Sequence, residues 1–314
     1  MQTLSIKNAN RILCAVTVIM IVVQYILVVI GVYDNIILLL ATQISVILIS
    51  LIGLTLGRAD FKETLRIHYI DPTTVLYALL IVLCSFPVVS LLNIVSMFFV
   101  ENAVVGAVND VYRYGLGISL FVMAVLPAIG EELLIRGIIY QSYRKKSPVL
   151  AWFLSAVIFG LMHMNFNQMP YAIFLGLLMV LMIEASDSIL TSMCMHFFVN
   201  GISTLSGFYS QQILGETMDS ELTAESLIGS GDMMRITLSI MIVLAIIMIP
   251  LILLLLFATC RNNGRRFRDA FRKIRRDEEG TTLPEVEEKD KIIDLWWIAA
   301  ILIMVIFTLL NTFA

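Results

Sequence analysis

The stretch Ala128-Ile-Gly-Glu-Glu-Leu-Leu-Ile-Arg-Gly-Ile-Ile-Tyr140 decides how this chain folds and where its chemistry is to be sought. It places the ionisable side chains of Glu131, Glu132 and Arg136 inside an apolar run over about 117–140. That run is long enough to cross a bilayer, for which about 20 residues suffice. Each such group at the centre of a spanning helix costs about 2.5–3.5 kcal/mol to insert. Three of them in one span therefore indicate a structural or functional task.

The spacing within the stretch separates the three groups. Glu132 and Arg136 are four residues apart on one helix face, so we expect an ion pair that offsets part of the cost of burial. Glu131 points about a quarter-turn away, where a carboxylate outside bulk water suits a general base near neutral pH. Two other interpretations stay open at this point: a buried structural ion pair with a spectator glutamate, and a pathway for protons or ions.

The composition is typical of a polytopic membrane protein. Of the 314 residues, 59% are hydrophobic and 14% are charged, whereas soluble domains carry about 25% charged residues. We therefore predict an all-α fold, a transmembrane helix bundle with about nine spans and at least eight. The cysteines lie in or beside apolar runs without paired spacing and are interpreted as small core residues; they are Cys14, Cys84, Cys194 and Cys260.

Apolar runs and polar connections divide the chain into segments. We predict N-terminal transmembrane helices over 1–116, core helices over 117–209 and an outer polar loop over 210–232. One further span follows over 233–260, then a basic and afterwards acidic cytoplasmic segment over 261–294, and a last span over 295–314. The nine runs are 12–32, 36–56, 73–100, 117–140, 149–166, 170–184, 188–208, 234–259 and 295–313. The sixth is the shortest, and we expect it to be tilted or partly re-entrant. Asp71-Pro72 and Ser147-Pro148 each predict a helix start.

Basic residues give the orientation. If the chain crosses the membrane nine times, its Lys and Arg residues lie on connections at one side of that membrane. The exceptions are Arg113, Arg235 and the intramembrane Arg136. This bias predicts an integral protein of a bacterial plasma membrane with a cytoplasmic N-terminus. The block from Arg261 to Arg276 resembles a basic amphipathic helix on the lipid surface, although it is equally well interpreted as a topology determinant.

Polar groups recur in two later apolar runs. His163 closes Phe159-Gly-Leu-Met-His163 in the fifth run, and the seventh contains His196-Phe-Phe-Val-Asn200. His196 and Asn200 are four residues apart, so they share a helix face at about 5–6 Å. A lone intramembrane histidine is more often a hydrogen-bond partner between helices than a catalyst. Two histidines, an asparagine in register and Glu131 on separate spans favour one shared site.

Three motifs follow one another along the chain: Glu131-Glu132-x-x-x-Arg136, Phe159-x-x-x-His163 and His196-x-x-x-Asn200. Together they resemble the motifs of the CPBP family of intramembrane proteases, which includes the type II CAAX prenyl endopeptidases and bacterial Abi or bacteriocin-immunity relatives. The resemblance covers about residues 116–206 and not the flanking spans. It implies an intramembrane endopeptidase with a CAAX-protease-like helical core.

The resemblance also implies a role for each motif residue. Glu131 matches the catalytic glutamate, and His163 matches the histidine that shares its water. His196 and Asn200 match the pair that faces the scissile carbonyl and would stabilise the oxyanion. The supporting residues are Glu132, Arg136 and Phe159.

The family is described both with and without a metal ion, so the cofactor is either none or a divalent metal such as Zn²⁺. Glu131, His163 and His196 would be the zinc ligands, with an open fourth position. The sequence has no compact His-Glu-x-x-His motif, which favours the version in which Glu131 alone activates the water.

The expected partners are a membrane protein or peptide as substrate and the lipid bilayer, and no nucleic-acid module is found. Processing of true CAAX sequences is not expected. Two other classes of function remain: a catalytically idle membrane scaffold, as a signalling or immunity partner, and a proton-coupled transporter. A transporter should show an internal repeat, and the sequence has none. The oligomeric state is not given by the sequence.

Overall fold

The computed structural model describes residues 4–100, 102, 104–214, 229, 231–269 and 290–313. Eight helices in this part of the chain are long and apolar enough to cross a membrane, and the all-α class is confirmed. The helices are α1 (Ile6–Val29), α2 (Asn35–Leu56), α3 (Phe61–Leu65), α4 (Pro72–Met97), α5 (Val104–Tyr112), α6 (Leu116–Arg144), α7 (Pro148–Met162), α8 (Met169–Ser186), α9 (Ile189–Leu214), α10 (Gly231–Asn262) and α11 (Leu295–Phe313).

Both predicted helix starts are confirmed. The Asp71 carboxylate accepts a hydrogen bond from the backbone N–H of Thr73, and Pro72 occupies the first helical position of α4. The Ser147 hydroxyl oxygen accepts from the N–H of Leu150 at the start of α7 in the same way. Each capping side chain satisfies a backbone donor that has no partner within the helix, while the proline has no N–H to satisfy.

The prediction that the sixth apolar run forms the shortest span was wrong. The short helix is the one formed by the fifth run, α7. α8 has 18 residues and qualifies as a span, whereas α7 has only 15. At 1.5 Å per residue α7 is about 22 Å long, less than the roughly 30 Å of a bilayer interior. It ends early because Met164 adopts a left-handed conformation with φ of 47°, directly after His163.

Hydrogen bonds between helix ends show how the helices run. α1 and α11 both begin at one end of the bundle, where the Asn10 amide donates to the carbonyl oxygen of Ile292 at 2.9 Å. α10 ends there and α4 begins there, because Asn263 Nδ2 donates to Thr74 Oγ1 at 2.9 Å. This end also carries the arginines described below, and we call it the basic end.

α7 crosses the bundle in spite of its length. α6 ends at the basic end, where Lys146 Nζ donates to the carbonyl oxygen of Asp290, and α7 follows directly. The other end of α7 lies beside the last turn of α11, where Asn311 Nδ2 donates to the carbonyl oxygen of Met164 at 3.0 Å. The described helices therefore make nine traverses, as the pattern of basic residues predicts. Which end faces the cytoplasm stays a prediction.

An ion cluster fastens the basic end. The buried Glu184 carboxylate on α8 accepts hydrogen bonds from Tyr140 Oη, from two nitrogens of Arg144 and from Arg66. The cluster thereby joins α6, α8 and the connection between α3 and α4. Arg66 and Arg144 had been assigned only to topology, and the sequence analysis did not single out Glu184.

Asp187 extends this cluster to the segment after α10. Its carboxylate pairs with Arg66, and Arg265 Nη1 lies 3.0 Å from Asp187 Oδ2. Burial acts to raise the pKa of Asp187, but the guanidinium groups of Arg66 and Arg265 outweigh it and hold that pKa below its usual value. The start of the basic segment is therefore tied to the core. The rest of the basic block, from residue 270 to Arg276, and most of the predicted outer loop over 210–232 lie outside the described residues.

Two glycines on the inner helices allow close packing around the centre of the bundle. A Cβ on Gly130 of α6 would lie 2.9 Å from Ile47 Cγ1 of α2. A Cβ on Gly176 of α8 would lie 3.0 Å from Ala156 Cα of α7 and 3.3 Å from Arg136 Nη2. Gly130 therefore lets α2 lie close to α6, and Gly176 lets α8 lie close to α7 and to Arg136.

Replacing Gly176 by alanine should lower the free energy of unfolding by about 1–3 kcal/mol, because the new methyl group meets the backbone of Ala156 and cannot be relieved by a side-chain rotation. Gly201 on α9 is the matched control: its Cβ would meet Ala124 and Phe197 only at 4.0 Å. Gly201→Ala should be neutral or stabilising by up to about 1 kcal/mol, since alanine favours helix. Unfolding in mild detergent measures both; equal effects would contradict the packing described.

Candidate active site

The centre of α6 departs from a regular α-helix on both sides of the glutamates. Phe121–Val125 and Leu133–Tyr140 are π-helical, and the α-helical turns Leu126–Glu132 lie between them. Wide π turns change the direction of the side chains that follow them and are frequent at functional sites. The periodicity of the sequence did not predict them.

Pro127 leaves a backbone acceptor on α6 that bonds to α9. A proline has no N–H, so the carbonyl oxygen of Met123, four residues earlier, loses its helical partner. The side chain of Asn200 on α9 supplies the replacement, since its Nδ2 donates to that oxygen at 2.9 Å. The proline therefore creates the acceptor to which Asn200 is fastened.

A buried chain of three charged or polar groups runs from α6 to α9. Arg136 Nη1 donates to Glu132 Oε1 at 2.8 Å, as the spacing predicts, and both side chains are completely buried. The same oxygen lies 2.9 Å from His196 Nδ1. An ionised carboxylate only accepts hydrogen bonds, so Nδ1 carries a proton and the ring orientation is fixed by Glu132.

This orientation directs the other nitrogen of His196 towards Glu131. Nε2 lies 3.9 Å from Glu131 Oε2, which is too long for a hydrogen bond. Within the described residues no group donates a hydrogen bond to that oxygen, although it is buried. Glu131 is thus the less engaged of the two glutamates.

Glu131 is nevertheless held at its other oxygen. Gln43 Nε2, from α2, donates to Glu131 Oε1 at 2.9 Å. Glu131, which the spacing places away from the Glu132–Arg136 pair, therefore has a partner of its own. Gln43 was missed by the sequence analysis; the available signal was a single amide side chain inside the apolar run of α2.

The ring of Phe159 on α7 lies among three polar groups. The guanidinium carbon of Arg136 is 4.1 Å from the ring centroid, a cation–π contact. The imidazoles of His163 and His196 meet the same ring edge-on, with centroids 5.0 and 5.6 Å away. Phe159 therefore contacts both histidines and packs on the guanidinium group of Arg136.

His163 lies at the end of α7, three residues before the predicted end of the fifth apolar run at 166. It is the C-terminal cap of the helix, and its Nδ1 lies 2.8 Å from the carbonyl oxygen of Phe159. A carbonyl oxygen only accepts, so Nδ1 carries the proton and Nε2 is the nitrogen left for other partners.

The structure thus gathers the predicted residues on three helices. α6 carries the two glutamates and the arginine, α7 carries Phe159 and His163, and α9 carries His196 and Asn200. The contacts that bring His163 to the group pass through Phe159, and those of Asn200 pass through Met123. The assignment of catalytic roles stays a prediction.

The predicted zinc ligands do not form a metal site in this arrangement. Among the described residues, no three His, Cys, Asp or Glu side chains converge as a metal ion requires. Both histidines contact Phe159, and each ring is engaged through Nδ1, which leaves only the Nε2 atoms for a metal. In this arrangement, within the part of the chain that the structure describes, the three predicted ligands are not gathered as a zinc site requires.

Comparison with protein families gives a match over the same helices. Residues 113–202, less than a third of the chain, match the family described as Type II CAAX prenyl endopeptidase Rce1-like. The matched stretch contains all three motifs and excludes α2, with Gln43. Comparison with the curated proteins and comparison with the solved structures gave no match.

Proposed function

Because this chain belongs to the CPBP family through its residues 113–202, we propose that it hydrolyses a peptide bond of a membrane-associated protein or peptide inside the bilayer. Glu131 is the general base that activates the attacking water. His196 and Asn200 serve the oxyanion. Glu132 and Arg136 position His196.

The observation that carries this proposal is the state of Glu131 Oε2. The oxygen is buried, has no hydrogen-bond donor among the described residues and lies 3.9 Å from His196 Nε2. A buried acceptor without a partner costs free energy, so native proteins satisfy such groups with water or ligand. A water that donates to Glu131 Oε2 and contacts Nε2 would be placed for proton transfer.

The reaction uses the chain's own side chains at each step. The water oxygen bonds to the scissile carbonyl carbon while Glu131 takes one of its protons, and the carbonyl π electrons move onto oxygen. The tetrahedral adduct then collapses, the carbon–nitrogen bond breaks, and the proton held by Glu131 passes to the leaving nitrogen. Glu131 is thereby returned to its carboxylate form.

Two donors face the developing oxyanion in this proposal. His196 donates a hydrogen bond from Nδ1 to Glu132, so Nε2 can donate to the oxyanion only when the ring is an imidazolium. Asn200 Nδ2 keeps a second hydrogen beside the one on Met123. Loss of one such donor typically costs about 2.7–4 kcal/mol of transition-state stabilisation.

His163 hydrogen-bonds to the same water as Glu131 in this proposal. With its Nδ1 proton on the carbonyl oxygen of Phe159, the neutral ring presents Nε2 as an acceptor. It can therefore hold the water without supplying a proton. Phe159 fixes the separation of this ring from His196.

The test replaces Glu131 by glutamine, which keeps the shape of the side chain and its place beside Gln43. Membrane proteomes of cells with the wild-type chain and with Glu131→Gln are compared for fragments, and the identified substrate is then cleaved by purified protein in liposomes. We expect cleavage to fall at least about 100-fold, because the general base is lost. Addition and removal of zinc should leave the wild-type rate unchanged.

Glu63→Gln, an exposed acid on α3, is the control and should cleave as the wild type does. The proposal is wrong if Glu131→Gln yields the same fragments at the same rate. If no fragment depends on Glu131 and the variant supports the cellular phenotype, the chain is a catalytically idle scaffold.

A further inference from the structure

α2 brings an amide side chain against the candidate base. Gly130, the residue before Glu131, has no side chain, and a Cβ at that position would lie 2.9 Å from Ile47 Cγ1 and 3.4 Å from Gln43 Oε1. The glycine therefore allows one turn of α2 to lie directly on α6 at the glutamates. Gln43 is more than nine-tenths buried in this contact, with an exposed fraction of 7%.

The two polar atoms of the Gln43 amide are in different states. Nε2 donates to Glu131 Oε1 at 2.9 Å. Oε1 is buried and, among the described residues, accepts no hydrogen bond. The amide cannot be turned to exchange these roles while Glu131 is ionised, because two acceptor oxygens would then face each other. Gln43 Oε1 is thus a buried acceptor that has no donor among the described residues and belongs to the amide bonded to Glu131.

A second open acceptor lies on the same pair of groups. Glu131 Oε2 also lacks a donor, and its carboxylate is hydrogen-bonded to the amide that carries Gln43 Oε1. A buried acceptor is costly to leave unsatisfied, and two adjacent ones call for a donor with two hydrogens. Water is the smallest such donor, and the proposed hydrolysis requires one at this place.

We infer that Gln43 is a positioning residue for the hydrolysis proposed above. Its N–H holds Glu131 so that Oε2 is the oxygen turned to the water and His196. Its carbonyl oxygen shares with His163 Nε2, in a three-centre hydrogen bond, the one hydrogen of the water that is not transferred. When Glu131 takes one proton, the other stays on the attacking oxygen, bound to Gln43, and becomes part of the new carboxyl group after the carbon–nitrogen bond breaks.

This role differs from a purely structural one in what it controls. An amide that only fills space between α2 and α6 would affect stability and would leave the titration of Glu131 unchanged. An N–H bonded to the ionised carboxylate favours that form, so its removal should make Glu131 take up a proton at higher pH. Gln43 lies outside the matched residues 113–202.

The experiment compares the full chain with Gln43→Leu, Gln43→Asn and Gln24→Leu. Leucine removes both polar atoms at similar size, and asparagine keeps the amide but is one methylene shorter. Gln24 on α1 is the matched control, an amide in a neighbouring span that donates to Thr42 Oγ1 at 2.8 Å, away from Glu131. Thermal unfolding in detergent shows which variants keep the fold.

Two readouts are taken on each variant. Infrared difference spectra follow the protonated carboxyl band of Glu131, identified by its loss in Glu131→Gln, as a function of pH. We expect the midpoint of this band to rise by about one pH unit in Gln43→Leu and to stay in place in Gln24→Leu. Cleavage kinetics should show kcat lowered about 10- to 100-fold with little change in KM, and an acid limb moved to higher pH.

The two proposals can fail separately. If the wild type shows no cleavage that depends on Glu131, the proposed function is wrong, and the infrared midpoint still decides whether Gln43 controls Glu131. An unchanged midpoint in folded Gln43→Leu overturns the inference even if cleavage is found. Should Gln43→Leu not fold, Gln43→Asn decides in the same way, because its shorter amide no longer reaches Glu131.

Discussion

Replacing Arg136 by methionine should lower the free energy of unfolding by about 3–5 kcal/mol, because Glu132 is then a buried carboxylate without its counter-charge. Both side chains are completely buried, so water cannot take the place of the arginine. His196 compensates only if its ring takes a second proton. The Phe159 ring also loses the guanidinium that packs on it at 4.1 Å. Chemical unfolding in mild detergent measures the loss.

The double variant Glu132→Gln with Arg136→Met separates stability from function. It removes both charges, and replacement of a complete buried pair by uncharged groups is often neutral, so most of the lost stability should return. Cleavage should not return, because glutamine no longer holds His196 as an ionised acceptor does. A double variant as unstable as Arg136→Met, or one that cleaves normally, would contradict the roles given to the pair.

A second large loss of stability, again about 3–5 kcal/mol, is expected for Glu184→Gln. The Glu184 carboxylate is 2% exposed and accepts from Arg66, Arg144 and Tyr140, so its removal leaves two guanidinium groups at the basic end without their main counter-charge. This group joins α6, α8 and the connection between α3 and α4. Unfolding experiments on the purified protein test it.

Asp187→Asn is the matched control for Glu184, since it belongs to the same cluster but its side chain is 41% exposed. Exposed pairs contribute about 0–1 kcal/mol, so the loss should be correspondingly small. The pKa of Asp187 is lowered in the folded state, and its contribution is therefore present above the ordinary carboxyl range and is lost as the pH falls through that lowered pKa. A loss as large as that of Glu184→Gln would contradict the account of the cluster.

Local signals in the sequence predict helix ends and pairs within a helix. Asp71-Pro72 and Ser147-Pro148 start helices because a cap acts on the next few residues. Glu132 and Arg136 pair because one helical turn brings them together. The pattern of basic residues gives nine traverses, because a charge on the wrong side would have to cross lipid.

Contacts between distant residues could not be predicted in the same way. Gln43 meets Glu131 across 88 residues, and nothing in the apolar pattern of α2 shows which face turns to α6. The left-handed Met164 ends α7 early, although methionine does not favour that conformation. Glu184 reads as one more polar residue near a helix end until Arg66, 118 positions earlier, is placed beside it.

The odd number of traverses has a topological consequence. The first and last helices are neighbours that run parallel, so nine crossings of a bilayer would place the start of α1 and the end of α11 on opposite faces of the membrane. No soluble linker could join them, so a circular permutant would need a tenth passage through the lipid. Fusion reporters at the two ends would sample different compartments.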